Sequence, residues 1–238
     1  MNTWKNNNVL TRFKESYFLE NTDGDGASGL PSDASLVGGT IFYIDDAAGG
    51  EYQFFDAEGN VIENAGVGDR PYAYRVIRKG SKDKYYVYHD ELYEGRWSNQ
   101  EDDEDEISEN ESLGTSEDTG SGRTNTGIAM ATSSSFGRYP TIWYRLRQIR
   151  NAKAGGCDDW FIPSKGEVEK LRLAIKSGSI TGGTIAASSY NESAFENKYL
   201  WSSSEHPSQG VWLWSPYYQF WGSYYKYNDN FVFFTRAF

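Results

Sequence analysis

The sequence predicts an α+β fold in which short antiparallel strands flank a pair of helices. Three observations carry that expectation. Twenty-five glycines against six prolines imply many tight turns joining short elements. Aromatic residues make up 16% of the chain, enough to carry much of a core. The two segments of helical periodicity fall between an early and a late group of strand-like runs, an order that argues against βαβ winding. At 238 residues, with 38% hydrophobic and 24% charged, the chain can bury a core and is not disordered by composition.

Taken in order, residues 8–20 (NVLTRFKESYFLE) place Leu10, Phe13 and Tyr17 at helical spacing. They predict a short amphipathic helix, either for attachment or self-association or packed on its own domain. The turn-rich NTDGDGASGLPSDAS follows as a linker, so 1–36 reads as helix and linker and 37–238 as the domain proper. Two motifs in the linker match in letters only. GDGASG, Gly24 to Gly29, has the dinucleotide spacing but follows no strand and opens no helix. NTDGDG begins like a calcium loop, yet Ser32 stands where the bidentate Glu belongs.

From Val37, VGGTIFYID reads as a strand. EYQFFDAEGNVIE reads as a hairpin turning at AEGN, and YAYRVIRKGSKDKYYVYHDELY as a second one turning at GSKD. No element is assigned to GSGRTNTGIAMA. TIWYRLRQIRNAKAGG puts Ile142, Leu146 and Ile149 on one helical face and stops at Gly155-Gly156. PSKGEVEKLRLAIKSG has Ser164 and Glu167 at capping-box spacing, an apolar stripe of Val168, Leu171 and Ile175, and Gly178 at its end. After a Ser/Thr/Gly-rich loop, YLWSSSE, GVWLWS, a middle segment and NFVFFTRAF read as short strands.

The net charge is −11, but ten acidic residues and no basic one lie between Glu101 and Asp118. Without that segment 24 acids face 23 bases, so the acidity belongs to one loop, at about 99–120, read as a solvated excursion, with a cation site or partner contact as the alternative. No Lys/Arg stripe tracks phosphates, which argues against nucleic acid as a partner. No apolar run reaches the length of a membrane span, so no membrane insertion is expected. The opening MNTWKNNNVLTRF lacks a hydrophobic signal core and does not read as a secretory leader.

Nothing in the chain makes a positive case for an enzyme, a cofactor or a metal. His89 and His206 are the only histidines, and HExxH, GxSxG and Walker patterns are absent. Asp158 and Asp159 are adjacent, so on a strand they diverge; they read as loop residues that satisfy backbone amides. Glu205 and His206 form an acid/base pair in sequence only, with no nucleophile beside them. Cys157 is the single cysteine, so no intrachain disulfide exists, which fits assembly in a reducing cytoplasm.

The tail is the feature most suggestive of function. SPYYQFWGSYYKYNDN, Ser215 to Asn230, crowds large rings among Gly, Ser and Asn, the repertoire of antibody paratopes. Consecutive Tyr-Tyr pairs cannot both face one core in a strand, so at least half of them must look outward.

Several separated motifs, VGGTIFY, GRTNTG, GGCDDWFIPSKGEVEKL, YLWSSSE and the terminal TRAF, resemble the bacterial and phage branch of the C-type lectin fold. The tail more closely resembles the variable proteins of diversity-generating retroelements, whose C-terminal segment is rewritten by mutagenic reverse transcription. The resemblance spans 37–238. It implies scaffold roles for Trp160, Pro163, Trp201, Trp212, Phe220, Gly222, Val232, Arg236 and Phe238. A small residue and Trp precede the variable stretch in that family; here they are Val211 and Trp212. An Arg that often follows the valine is Phe233 here.

The resemblance implies an exposed, substitutable ligand-binding surface within about 206–230. Its residues are His206, Ser208, Gln209, Leu213, Trp214, Tyr217, Tyr218, Gln219, Trp221, Ser223, Tyr224, Tyr225, Tyr227, Asn228, Asp229 and Asn230. Calcium-dependent sugar binding is not implied, because EHP interrupts the first calcium motif and YND only echoes the second. The expected function is non-enzymatic binding of a protein or glycan receptor on another cell, from a phage tail or a cell surface. Homo-oligomerisation is compatible with it. The alternative is a virion or cell-surface assembly module with the aromatic patch as a fixed interface.

Overall fold

The computed structural model describes residues 29–98, 112–132, 141–185, 199–207 and 210–238. The expected helix at 8–20, the calcium-like stretch beginning at Asn21, most of the acidic run, and Ser208 and Gln209 lie outside the described residues. The architecture is α+β. Early strands are β1 (Ser35–Leu36), β2 (Thr40–Ile44), β3 (Glu51–Phe55), β4 (Val61–Ile62), β5 (Ala73–Arg78), β6 (Tyr85–Tyr88) and β7 (Tyr93–Gly95). Helices α1 (Gly122–Thr132), α2 (Ile142–Ala152) and α3 (Lys165–Lys176) come next, with a 3₁₀ turn over Ala154–Gly156. The late strands are β8 (Leu200–Glu205), β9 (Val211–Ser215), β10 (Phe220–Tyr224), β11 (Asn230–Val232) and β12 (Thr235–Ala237).

These strands form sheets of order β1-β5-β3-β4, β10-β9-β8-β11-β7 and β12-β6-β2. Pairing is antiparallel except between β11 and β8. The first and last parts of the domain meet at β6, which β2 and β12 flank. The EYQFFDAEGNVIE segment is a hairpin as expected, β3 pairing β4. Its turn is held by the Asp56 carboxylate, which accepts from Asn60 N at 2.7 Å and Glu58 N at 3.0 Å.

The second expected hairpin is corrected. Its two strands separate: β5 pairs with β1 and β3, whereas β6 joins β2 and β12. Apolar alternation marks both strands but does not encode which sheet each one enters. NFVFFTRAF likewise divides into β11 and β12, in different sheets. The double glycine before β2 has a steric cause: a Cβ on Gly39 would collide with the Tyr88 carbonyl of β6.

Both expected helices form, with their caps. Thr141 accepts from Tyr144 N at 3.2 Å, and Lys153 takes the left-handed conformation at the end of α2. Ser164 and Glu167 make the capping box of α3. The helix α1 was not expected. Its buried side is Gly122, Asn125, Thr126 and Ala129, which keeps the i, i+3, i+4, i+7 spacing but with small and polar residues. An apolar periodicity search passes over such a stripe.

The core lies on both faces of the five-stranded sheet. Neighbouring residues of β8 and β9 point to opposite faces, and they divide accordingly. Trp201, Val211 and Leu213 pack with Trp97, Trp143 and the α2 stripe of Ile142, Leu146 and Ile149. Leu200 and Trp214 pack with Phe161, Phe233 and the α3 stripe of Val168, Leu171 and Ile175.

Three consecutive serines of β8 are fully buried and stitch this region together. Ser204 Oγ donates to Ser116 O at 2.7 Å and accepts from Lys165 N at 3.0 Å; Ser203 N donates to Pro163 O at 2.7 Å. Asn125 of α1 exchanges bonds with the Ser116 backbone at 2.9 and 2.7 Å. Asp159 is more than a loop residue satisfying amides: its carboxylate takes Arg236 Nε, while Arg236 Nη1 donates to Leu36 O and Val37 O.

Candidate binding surface

The described residues between 206 and 230 supply the edge strand β10 of the five-stranded sheet, its inner neighbour β9, the turns around them and the first residue of β11. β9 and β10 pair over five consecutive positions, from Phe220 opposite Ser215 to Tyr224 opposite Val211. Ser215 holds the connecting turn, accepting from Gln219 N at 2.9 Å through its carbonyl and from Tyr218 N at 3.1 Å through its hydroxyl. Gln219 adopts φ 57° at the end of the turn, and Tyr217 and Tyr218 stand exposed on it.

Because side chains alternate along β10, it presents two unlike surfaces. Phe220 and Tyr224 share one face with Gly222 between them. Their rings lie 6.3 and 5.8 Å from that of Tyr199, and Tyr218 extends the run at 6.1 Å from Phe220. Tyr217 adds to it at 4.8 Å from Tyr218, and Tyr225 stacks on Tyr227 at 5.4 Å. A Cβ on Gly222 would approach the Phe220 ring to 3.2 Å, so glycine leaves that ring its room. Half of the exposed large apolar side chains among the described residues fall between 217 and 225: Tyr217, Tyr218, Phe220, Tyr224 and Tyr225. Such a concentration is more than scattered surface apolar residues produce.

The opposite face is polar and internally bound. Trp212 Nε1 donates to Glu117 at 2.7 Å, and Trp221 Nε1 donates to Glu169 at 2.9 Å. Lys165 Nζ sits 3.4 Å from the centre of the Trp212 ring and 2.7 Å from Glu117 Oε2. His206 packs edge-on against Trp212 at 4.4 Å. Burial opposes the charge of Glu117, yet the bonds from Lys165 and Trp212 hold its carboxyl below the ordinary value. For Glu169 the bond from Arg172 dominates over partial burial and, with the Trp221 indole, lowers that carboxyl too.

The expected surface is therefore sorted by the fold. Tyr217, Tyr218, Gln219, Ser223, Tyr224, Tyr225 and Asp229 are exposed, and His206, Trp221, Tyr227 and Asn228 are half-buried. Leu213, Trp214 and Asn230 are corrections: expected as exposed, they are buried at 1%, 0% and 2% exposure. Leu213 and Trp214 lie on the inner strand β9, covered on both faces, and Asn230 starts β11 between β7 and β8.

Phe220, expected as scaffold, is 45% exposed, and Trp212 is only half-buried. The scaffold residues Trp160, Trp201 and Val232 are fully buried, and Phe238 stacks on Tyr74 at 3.8 Å. Tyr199, Lys165 and Glu117 went unrecognised as neighbours of this surface. Only the i, i+4 match of Phe220 with Tyr224 could have placed Phe220 outward.

Compared with protein-family models, with curated proteins and with solved structures, the chain matches none of them. Its function is read from the surface itself.

The acid/base pairing of Glu205 with His206 is not formed in the structure as a site. Glu205 instead bonds buried Lys226 at 3.0 Å and accepts from Leu113 N at 2.7 Å. Burial lowers the His89 pKa. Burial likewise raises the Cys157 thiol to about 11, which makes it a poor nucleophile at neutral pH. Among the described residues no group of three or more His, Cys, Asp or Glu side chains is placed to hold a metal, and no described helix is long and apolar enough to cross a membrane. A depression of about 740 Å³ lies elsewhere, between Tyr52, Tyr74, Tyr86 and Phe238 and the turn of Lys79 to Asp83.

Proposed function

We propose that this chain is a non-enzymatic binding protein of the C-type lectin-like kind, displaying the surface around β10 to a protein or glycan receptor on another cell. In this reading it is the variable protein of a diversity-generating retroelement, carried on a phage tail or a cell surface. One observation carries the proposal: five large aromatic side chains are exposed between 217 and 225, while Leu213, Trp214 and Lys226 beside them are buried. Rings of this kind give contact area at low entropic cost and dominate interface energetics. The lectin-like reading of the scaffold draws on the same motifs as before, now with physical roles. Gly39 fits under the β6 backbone, Arg236 ties the last strand to Asp159, and the serines of β8 anchor α1 and α3.

Sequencing the 3′ end of the gene across its natural population tests the reading. Diversification predicts substitutions at the exposed positions 217–219, 223–225 and 229 and at the half-buried 227 and 228, with Leu213, Trp214, Lys226 and the RAF end spared. An invariant 3′ end would remove the retroelement assignment and leave a module with one fixed partner.

A further inference from the structure

The described sheets have six edges, and five are short, capped or interrupted. β1 and β4 are two residues long. β7 is three residues long, and the adjoining Arg96 carbonyl takes Ile142 N of α2 at 2.9 Å. On β12, Thr235 exchanges two backbone bonds with Phe161, both at 2.8 Å. β2 has five residues, but its register shifts between Ile41 and Tyr43. Its outer side is also closed by bonds between Ile41 and the 68–69 turn, Ile41 N to Asp69 O at 2.9 Å and Gly68 N to Ile41 O at 2.8 Å.

β10 is the exception. It is a five-residue edge in unbroken register with β9, and it contains neither a proline nor a charge. Among the described residues, no backbone group of Phe220–Tyr224 has a partner outside that ladder. Natural sheets blunt such edges with bulges, lysines, prolines or covering segments, because an open row of amides and carbonyls recruits another strand.

We propose that β10 takes an extended, uncharged polypeptide segment of the receptor as a sixth strand of its sheet. This rests on the reading of the β10 surface as the binding surface, and it selects a protein over a glycan as the ligand. Two observations define the occupant. The regularly spaced backbone donors and acceptors along the edge are matched as a row by another extended backbone, and alternate side chains of that strand would meet Phe220 and Tyr224 on one face and Trp221 on the other.

The charges around the edge are already paired within the chain: Lys165 with Glu117, Arg172 with Glu169 and Lys226 with Glu205, at 2.7, 2.5 and 3.0 Å. At the far end Asp229 faces Arg96 at 3.8 Å. Among the described residues a charged strand would find no free counter-ion there, and a neutral apolar one needs none. The main chain would then supply affinity shared by many sequences, while the exposed rings supply selectivity.

The test is a screen of the full chain against a library of randomised linear peptides. It is followed by single N-methylation of each amide in a selected peptide and by amide exchange of β10. Strand addition predicts that methylating alternate amides weakens binding about tenfold or more, whereas the amides between them tolerate it. It also predicts that alternate amides of Phe220–Tyr224 gain protection when the peptide is bound. Three results overturn it: binding insensitive to N-methylation, no peptide bound, or the same amides protected in a concentration-dependent dimer, which would make a second copy the occupant. Glycans or folded proteins bound through Tyr217, Tyr218 and Tyr224, without amide protection, would overturn strand addition yet keep the binding function. Natural invariance of the tail, with no ligand of any class, would remove that function as well.

Discussion

Lys226 lies inside the aromatic tail, between exposed Tyr225 and half-buried Tyr227, yet its side chain is 1% exposed. Its ammonium bonds Glu205, itself 9% exposed, at 3.0 Å and lies 5.1 Å from the centre of the Trp97 ring. The Lys226 carbonyl accepts from Ser98 N at 2.9 Å, and Glu205 accepts from Leu113 N at 2.7 Å. This one pair thus joins the tail to β8 and, through Leu113, to the later part of the acidic segment.

Lys226→Met keeps the stem and strands the carboxylate, for which a buried ion pair loses about 3–5 kcal/mol. Adding Glu205→Leu removes the stranded charge and leaves the Leu113 amide, and the longer Thr115 hydroxyl contact at 3.5 Å, without their acceptor, a loss of about 1–3 kcal/mol. The double variant is therefore expected to be more stable than Lys226→Met alone, although it lacks more native groups. Urea denaturation followed by tryptophan fluorescence measures both differences. A loss below about 1 kcal/mol for Lys226→Met, or simple additivity in the double variant, would refute the buried-pair argument.

Three further predictions follow from the same geometry. Tyr218→Ala should change stability by no more than about 0.5 kcal/mol, whereas Leu213→Ala should lose about 2–5 kcal/mol, by denaturation midpoints; comparable losses would mean that Tyr218 belongs to the core. Trp201 Nε1 donates to Gly95 O at 3.1 Å, while Trp214 Nε1 is buried without an acceptor among the described residues. Trp214→Phe should therefore cost about 1–3 kcal/mol less than Trp201→Phe, and equal costs would contradict this. Glu167, at the start of α3, accepts from Ser164 N, Gly120 N and Gly122 N at 2.7, 3.0 and 3.4 Å, yet burial raises its pKa to about 7. A raised folded-state value means that its contribution is full below the unfolded pKa near 4.5 and is lost as pH rises through about 7. Denaturation midpoints at about pH 5 and about pH 8 should show the stability gap between the native chain and Glu167→Gln narrowing as pH rises; a widening gap would reverse the assignment.

Local signals in the sequence located elements whose determinants are local. Thr141, Ser164 and Glu167 marked two helix starts because caps act within one turn, and AEGN marked a hairpin because its Asp56 acts over four residues. The sheet assignments of β5 and β6 were not legible, since tyrosine-rich alternation suits either sheet and only tertiary packing chooses. Helix α1 was hidden because Asn125 and Thr126 replace the apolar side chains that a stripe needs. They bond Ser116 and Ile162 instead of packing. In the tail, composition identified an aromatic segment without assigning faces. Leu213 and Trp214 fell on the wrong side because helices α2 and α3, from earlier in the chain, cover the two faces of β9, and Asn230 because β11 pairs with the distant β7.

The aromatics divide by how their polar atoms are held. Trp97, Trp143, Trp160 and Trp201 each donate the indole N–H to a backbone carbonyl, and Trp212 and Trp221 each donate to a carboxylate. A ring fixed at both its apolar body and its polar tip is a poor position for variation, because every replacement strands a carbonyl or a carboxylate. Tyr217, Tyr218, Tyr224 and Tyr225 are instead exposed at 36% to 49%. Water can satisfy their hydroxyls whatever residue replaces a neighbour. The surface positions that this fold leaves free to change are therefore the tyrosines rather than the tryptophans. Replacing them alters the contact surface without disturbing the hydrogen bonds that hold the sheet behind it.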